Sequence, residues 1–490
     1  MSYTLAHMRF GKPDWMFYRD GEWTDLQRFV DENTRLGVVW GPRRAGKSTL
    51  VAALTESRNG IYYEAVRQDP ALSWAEIGSL IGARQGLPAV RFDDWDQVVT
   101  ALLTSPDCPI TTIDEFGYLC ESSPELPSVI QRVIDRGRRS RARGGTSRLL
   151  LCGSAITQLS HLLDRDQPLF GRAQLALVVD SFDFRDAARY WGVADQPRLA
   201  LAVHAVVGGL PGYRDILGDA PTGRAGFDRW IEQSVLAASS PLLEEDSLVF
   251  QASGLDANVY RSILTAVASG EQTPTHISSR IGRNVSSLAR PVENLVQAGL
   301  LHRVVDPLRS RRSRYELADP FLSFHHAVIR PNRTRLRRRQ QRAVWAESQA
   351  TWRARFLGPH FERLARVAVE RHGDELGLDA VGLVGSTTVA DPAARTNHEI
   401  DVLALSPDGR IVAIGEAKHT NERRGLSDVA RLERIRALLP TDRTGDCKLL
   451  LFAADGVHDA AAGSARDDLE IIDLSRLYGH ASTHAAKGRR

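Results

Sequence analysis

No two cysteines of this sequence stand close enough to grip a zinc ion or to cycle as a redox pair. Cys108, Cys120, Cys152 and Cys447 are scattered, each in or beside an apolar stretch. A thiol in that setting acts as a small hydrophobe, which excludes a disulfide scaffold and a zinc knuckle and fits a reducing compartment. Long apolar runs are missing too. Nothing approaches the ~18 residues that a membrane helix needs, and Met1–Lys12 lacks the basic-then-apolar order of a secretory leader. A cytoplasmic protein without a membrane partner is therefore expected. Nor does one sign of charge dominate: 63 Lys and Arg face 60 Asp and Glu, for a net charge of +3. The chain as a whole gives no nucleic-acid signal, so only local clusters can give one. No internal repeat is present.

At 490 residues the chain is too long for one core, since single cores stop growing at roughly 250–300 residues. Its 43% hydrophobic and 25% charged content is that of an ordinary globular protein. Between residues 36 and 185, short apolar runs alternate with helix-like segments. Leu36–Trp40, Ile110–Ile113 and Leu149–Cys152 read as strands buried on both faces of a parallel sheet, which predicts a doubly wound α/β layout. From Asp186 the pattern turns helical, with a break at Gly208–Gly212 and a loop at Leu217–Gly226. A second α/β pattern runs from about Trp352 to Leu477, and the small, polar, basic tail Gly479–Arg490 reads as disordered.

The segment Gly41-Pro42-Arg43-Arg44-Ala45-Gly46-Lys47-Ser48-Thr49 fits the phosphate-loop pattern G-x-x-x-x-G-K-[ST], with a strand before it and a helix after it. Glycines let successive N–H groups curl toward phosphate, and the helix N-terminus adds partial positive charge. The loop predicts binding of ATP with magnesium. Lys47 would reach the β- and γ-phosphates and Ser48 would ligate the metal. Hydrolysis needs a carboxylate to hold magnesium and a base for water. Ile110-Thr-Thr-Ile-Asp114-Glu115 supplies Asp114 for the metal and Glu115 for the water, unless it is only an acidic strand end. Ser154, after the strand Leu149–Cys152, is placed to sense the γ-phosphate or orient water, or is a plain turn serine.

The blocks GPRRAGKSTL, TTIDEFGYL, LLLCGSAI, PLFGRA and GGLPGY, in this order, resemble the archaeal-type P-loop ATPases of the AAA+/STAND group that carry a DUF234 C-terminal region. The resemblance covers about Phe17 to Leu477. It implies an ATPase core over 15–185, a helical lid over 186–250, a winged-helix domain over 251–318, a basic linker over 319–351, a nuclease-like domain over 352–478 and a tail over 479–490. Two roles follow from the resemblance alone. Pro211, in Gly208-Gly209-Leu210-Pro211, matches a lid proline near the adenine. Arg172, in PLFGRA, matches an arginine able to act as a finger, in trans if the chain forms a homo-oligomer. The segment Phe17-Tyr18-Arg19-Asp20-Gly21-Glu22 departs from the family's F-x-G-R-x-x-E-L opening, which leaves its contacts to the nucleotide open.

Residues 259–318 read as helix, helix, helix and hairpin. The helices are Tyr260–Ser269, Thr275–Ile281 and one capped by Asn284 with Val285, Leu288, Val292, Leu295 and Val296 on its apolar stripe. The hairpin arms are Leu301–Val305 and Arg314–Leu317. Its tip, Pro307–Arg314, holds Arg309, Arg311, Arg312 and Arg314. This resembles a winged helix with a basic wing. DNA would meet the wing at phosphate and Ser286, Ser287 and Arg290 at the groove. The alternative is a structural module, and Pro291 inside the third helix favours it. Seven further arginines, at 330, 333, 335, 337, 338, 339 and 342, make Arg330–Arg342 either a DNA contact or a solvated helix face.

The C-terminal pattern carries a second set of reactive groups. Glu399-Ile-Asp401 and Gly415-Glu416-Ala417-Lys418 lie on two β-prone runs joined by the turn Pro407-Asp408-Gly409. Alternation puts Glu416 and Lys418 on one face of a strand. A hairpin would set Asp401 beside Glu416, where both would hold magnesium while Lys418 acts on the water. With Glu362 on an upstream helix as a third acid, this resembles the restriction-endonuclease-like core of the PD-(D/E)xK nucleases. Two functions remain open. One is an ATPase driving a metal-dependent DNA nuclease. The other is an ATP/ADP signalling switch whose last domain binds nucleic acid or protein without cleaving it.

Overall fold

A computed structural model of the protein describes residues 11–32, 34–139, 147–154, 156–246, 257–420, 422–440, 443–462 and 466–481. Most of the tail 479–490 lies outside the described residues, as do the side chains of Arg311 and Arg312. The chain divides into two compact units. The first takes the described residues up to Ser181 with Leu210–Gly212. The second takes Phe182–Gly209 and the rest from Tyr213 on.

In the first unit five strands, β1 (Leu36–Trp40), β2 (Ile61–Glu64), β3 (Ile110–Asp114), β4 (Arg148–Gly153) and β5 (Leu175–Val178), form one sheet in the order β2-β3-β4-β1-β5. Every pairing is parallel. Such a sheet needs cover on its faces, and the continuous Leu/Val/Ile runs of β1 and β4 are buried along nearly their whole length. Leu36, Val38, Leu149 and Leu151 share a core with Ile77, Trp95, Leu102 and Ile130 from the flanking helices Pro70–Gln85, Trp95–Thr104 and Leu126–Arg139. Each such side chain contributes roughly 1.5–3 kcal/mol on burial. Asp69 and Asp94 start two of these helices by accepting from Ala71 N and Gln97 N. The carboxyl ends of β1, β3 and β4 share one edge of the sheet, where ligands of open α/β sheets bind.

The second unit begins with the helices Phe184–Tyr190, Pro197–Val207 and Gly223–Trp230. Helices Ala257–Ala268, Pro274–Ile281 and Val285–Gln297 follow, then the antiparallel pair β6 (Leu301–Asp306) and β7 (Arg309–Leu317). Pro291 falls inside the third helix without ending it, and Asn284 stands at the N-cap without a side-chain cap bond. The hairpin differs from expectation. Asp306 pairs with Arg309, so the turn is Pro307-Leu308 alone and the arginines lie along β7. The tip expected over Pro307–Arg314 is thus mostly strand, since an alternating strand can hold polar residues on a solvent-facing side. The segment 319–351, read as a linker from its charge, is helical: Pro320–Phe324, a π-helical turn His325–Ile329, Arg330–Arg337 and Gln341–Trp352. Phe321, Phe324, Leu336, Val344 and Trp345 are buried along it.

A mixed sheet closes the second unit. Its strands are β8 (Leu383–Asp391), β9 (Thr396–Leu405), β10 (Ile411–Lys418), β11 (Lys448–Ala453) and β12 (Leu469–Ile472), in the order β12-β11-β10-β9-β8. β8, β9 and β10 run antiparallel, and β10, β11 and β12 run parallel. A parallel pair needs a crossover, which the helix Leu426–Ala437 provides between β10 and β11. The helix Gly358–His372 precedes the sheet and packs on it, with Phe361, Leu364 and Ala368 among its buried residues. Among the described residues no helix is long and apolar enough to cross a membrane.

Candidate functional site

The loop after β1 has the backbone shape its glycines allow. Gly41, Arg44 and Gly46 have φ of 155°, 68° and 86°. A β-carbon at Gly41 would sit 2.1 Å from the Val179 carbonyl oxygen, so only glycine fits beside the end of β5. Alternating left-handed residues turn successive N–H groups to one side, a concavity suited to an anion. The helix Lys47–Ser57 starts on Gly46 and points its N-terminus there. Lys47 is buried, and its ammonium donates to the Pro42 carbonyl at 2.8 Å. Burial lowers its pKa, and the nearby carboxylates of Glu115 and Asp114 oppose that shift. Ser48 and Thr49 are exposed at the mouth of the loop.

Asp114 ends β3 in a nearly closed environment. Its Oδ1 accepts from Glu115 N at 2.9 Å and its Oδ2 from the Tyr62 hydroxyl at 2.7 Å. Burial pushes the Cys152 thiol well above its ordinary pKa, and the Asp114 carboxylate beside it adds to the shift. Glu115 sits at φ 50°, an uncommon backbone for a side chain of its size. There it turns off the strand end, and Ser154 Oγ donates to its Oε1 at 3.2 Å. β4 lies between β1 and β3, so the residue after β4 comes to rest among the groups that follow the other two.

Two more residues, Arg19 and Pro211, bear on this loop. Arg19 was not singled out from the sequence. Its guanidinium donates to the carbonyls of Ala45 at 2.9 Å and Asp180 at 2.7 Å, and pairs with Glu22 at 2.7 Å. The R-x-x-E spacing was the available signal, hidden by the departure around it. Pro211 approaches Gly46, where an added β-carbon would lie 3.7 Å from its Cγ, and Gly212 N donates to Arg44 O at 3.0 Å. Arg172 is held by Asp135 at 2.9 Å, so a finger role requires breaking that pair.

In the second unit, the β9–β10 register sets Gly415 opposite Val402 and brings Glu416 beside Asp401. Both carboxylates are buried. Asp401 Oδ2 accepts from Lys418 Nζ at 3.2 Å and Ala417 N at 2.9 Å. Lys418 Nζ also stands 3.6 Å from Glu416 Oε1. Burial pulls the Lys418 pKa down, but Asp401 and Glu416 outweigh it and the net shift is upward. Glu362 is raised to about 7, by burial first and by the Asp401 charge second. Among the described residues no three carboxylate, imidazole or thiol groups converge as a metal cage, so Glu362 does not complete one with this pair. Glu416 Oε2, however, is buried with no hydrogen-bond partner, an acceptor suited to a cation. Two arginines that sequence reasoning missed touch this site. Arg431 Nη1 lies 2.6 Å from Glu416 Oε1. Arg366 donates to the Asp401 carbonyl at 3.3 Å and pairs with Glu316 of β7 at 3.1 Å.

The basic segments are less available than their composition implies. At the hairpin turn, a β-carbon on Gly385 of β8 would lie 2.8 Å from Pro307, Leu308 packs on the core of the mixed sheet, and Arg314 lies 3.7 Å from Glu399. Along the arginine-rich helices, Arg333 and Arg337 pair with Glu244, and Arg335 with Glu347 at 2.7 Å. Arg309, Arg338, Arg339 and Arg342 are exposed, as are Ser286, Ser287 and Arg290.

No family model matches the chain. It is 25% identical over 321 residues to an uncharacterized protein of Methanocaldococcus jannaschii, a stretch covering 64% of this chain and 69% of that one. Its fold is similar to a Walker-type ATPase of Pyrococcus abyssi, with a TM-score of 0.48 at 18% identity over 64% of this chain and 96% of that one. It is also similar to the ORC2 protein of Aeropyrum pernix, with a TM-score of 0.43 at 14% identity over 70% of this chain and 97% of that one.

Proposed function

We propose that this chain binds and hydrolyses ATP at the loop Gly41–Ser48 and couples that cycle to a magnesium-dependent DNA nuclease site at Asp401, Glu416 and Lys418. The observation that carries the reading is the meeting of Lys47, Asp114, Glu115 and Ser154 at one sheet edge. The loop N–H groups and Lys47 bind phosphate. Ser48 and Asp114 would hold magnesium, which offsets charge on the phosphates. Ser154 occupies Glu115 Oε1 and leaves Oε2 to take the proton of the attacking water. Pro211 and Arg19 shape the loop. Arg172 is the trans group if the protein oligomerises.

At the second site a magnesium ion would rest on Asp401 and Glu416 and keep water for the rest of its shell, the habit of this metal. It would polarise the phosphate and the water. Lys418 holds Asp401 in place and offers a cation to the developing charge. DNA would be held by Arg309 and the exposed arginines of Arg330–Arg342. Helices 257–297 and the hairpin would act as a winged helix.

The experiment is a cleavage assay on plasmid, linear, single-stranded DNA and RNA, with magnesium or manganese, with and without ATP. Metal-dependent cutting that responds to ATP is the expected result. No cutting on any substrate, with ATP turnover intact, leaves the second reading, a STAND-type ATP/ADP switch whose last domain binds without cleaving. The packing of the hairpin turn on the mixed sheet favours that reading, since it withdraws one proposed DNA contact.

A further inference from the structure

The helix Leu426–Ala437 begins where Asp428 reaches back to Gly425 N at 2.8 Å, and it carries three arginines. Arg434 and Arg436 are spent on Asp391 and Asp468, both at 2.6 Å. Arg431 alone is paired to an acid of the second site, Glu416, with 2.6 Å between Nη1 and Oε1. The two partners differ in freedom. The Arg431 side chain is 39% exposed, whereas that of Glu416 is 5% exposed. A movable cation thus caps a fixed anion.

Charge sharpens the point. Asp401 and Glu416 carry two negative charges, and Lys418 and Arg431 answer with two positive ones. Glu416 Oε2 is nonetheless buried with no hydrogen-bond partner. A divalent cation adds two positive charges beside Lys418 and Arg431 and competes with both for Glu416. Lys418 is anchored a second time on Asp401 at 3.2 Å. Arg431 makes one contact in the site and is the group that can leave. A guanidinium released beside a metal is matched to phosphate oxygens, which its planar fork can grip in pairs.

We propose that Arg431 is a phosphate-binding residue of the second site, parked on Glu416 until a divalent cation displaces it and then turned to the phosphodiester of a nucleic acid. The inference rests on the metal-dependent reading of that site. It assigns one residue two opposite effects: it weakens metal binding and strengthens nucleic-acid binding. A purely structural arginine would weaken both on removal.

The test measures both affinities on the full chain as wild type, Arg431→Ala and Arg431→Gln, with circular dichroism to show that each is folded. Manganese affinity is read by calorimetry without nucleic acid. Affinity for a labelled DNA duplex and a single strand is read by fluorescence anisotropy in calcium. The expected result is manganese binding tightened by roughly 3- to 10-fold in both variants and DNA binding weakened about tenfold, the size of one lost charge-assisted contact. Unchanged or weaker manganese binding overturns the proposal, and so does unchanged DNA binding. If wild type itself binds no manganese, the metal-dependent reading falls and takes this inference with it. If wild type binds manganese and the variants match it, only Arg431 is misassigned. Should Arg431→Ala not fold, the glutamine variant, closer in length and polarity, carries the same readings.

Discussion

Ser154 donates its hydroxyl to Glu115 Oε1 across 3.2 Å, joining the residue after β4 to the residue after β3. Sequence separates them by nearly forty positions, and strand order alone brings them together. The bond fixes one carboxylate oxygen and leaves the other for chemistry. Glu115→Gln should slow ATP hydrolysis by roughly 10²–10⁴ with nucleotide binding retained, as on loss of a general base. Ser154→Ala should cost less, about tenfold, because it loosens the base without removing it. Steady-state phosphate release and a fluorescent-nucleotide titration check both, and equal turnover in Glu115→Gln would sink the assignment.

Gly41→Ala tests the loop by sterics. The added β-carbon meets the Val179 carbonyl at 2.1 Å, closer than any real contact. Backbone must move, so nucleotide binding should be lost along with some stability. Lys47→Ala should abolish binding without that loss of stability. Thermal melts with and without ATP separate the two. A normal ATP-induced rise in Tm for Gly41→Ala would count against the loop geometry.

Asp401→Ala leaves Lys418 and the Ala417 amide without their shared acceptor. Metal-dependent cleavage should fall at least 10³-fold, in the range expected when an interaction central to the chemistry is removed. The nuclease assignment fails if wild type and variant cut alike at every magnesium and manganese concentration.

The exposed arginines should act through phosphate. Replacing Arg338, Arg339 and Arg342 by Gln removes up to three contacts. The slope of log affinity against log salt should then become shallower by about 2–3, at nearly one unit per phosphate contact. The same change at Arg333, Arg335 and Arg337 should move the slope less, since Glu244 and Glu347 already hold those side chains. Equal slopes in all proteins would remove this surface as a DNA contact.

His326 gives a pH dependence. Burial lowers its pKa to about 3, with His325, Arg330 and Arg261 pushing the same way, while the unfolded chain titrates near 6.5. A group with a depressed histidine pKa is neutral in the fold and takes up a proton on unfolding. Its stabilising effect is therefore full above pH 6.5 and lost progressively as pH falls toward 3. The slope is up to about 1.4 kcal/mol per pH unit. Urea melts between pH 7.5 and 5 should show His326→Asn losing less stability on acidification than wild type. Parallel curves would show that His326 is not the group responsible.

What could be read from the sequence lay on short contiguous stretches. The loop Gly41–Ser48, the strand end Asp114-Glu115 and the spacing Glu416-x-Lys418 each place their groups by local backbone periodicity. Glycine's freedom and the two-residue repeat of a strand are properties of the chain itself. The apolar runs of β1, β3 and β4 predicted a parallel sheet for the same reason. Composition misled where polarity was taken for exposure. Arg314 and much of Arg330–Arg342 meet acids of the same unit, and Pro307-Leu308 packs on a sheet instead of standing free as part of a long tip. No local rule states which distant carboxylate an arginine will find. Arg19 on the Ala45 carbonyl, Arg366 between Glu316 and Asp401, and Arg431 on Glu416 all join residues that strand order and helix packing bring together. The sequence by itself determined which reactive groups exist and the local backbone that presents them. Only the tertiary structure decided which of them share an environment, because burial and charge pairing depend on neighbours that the chain supplies from far away.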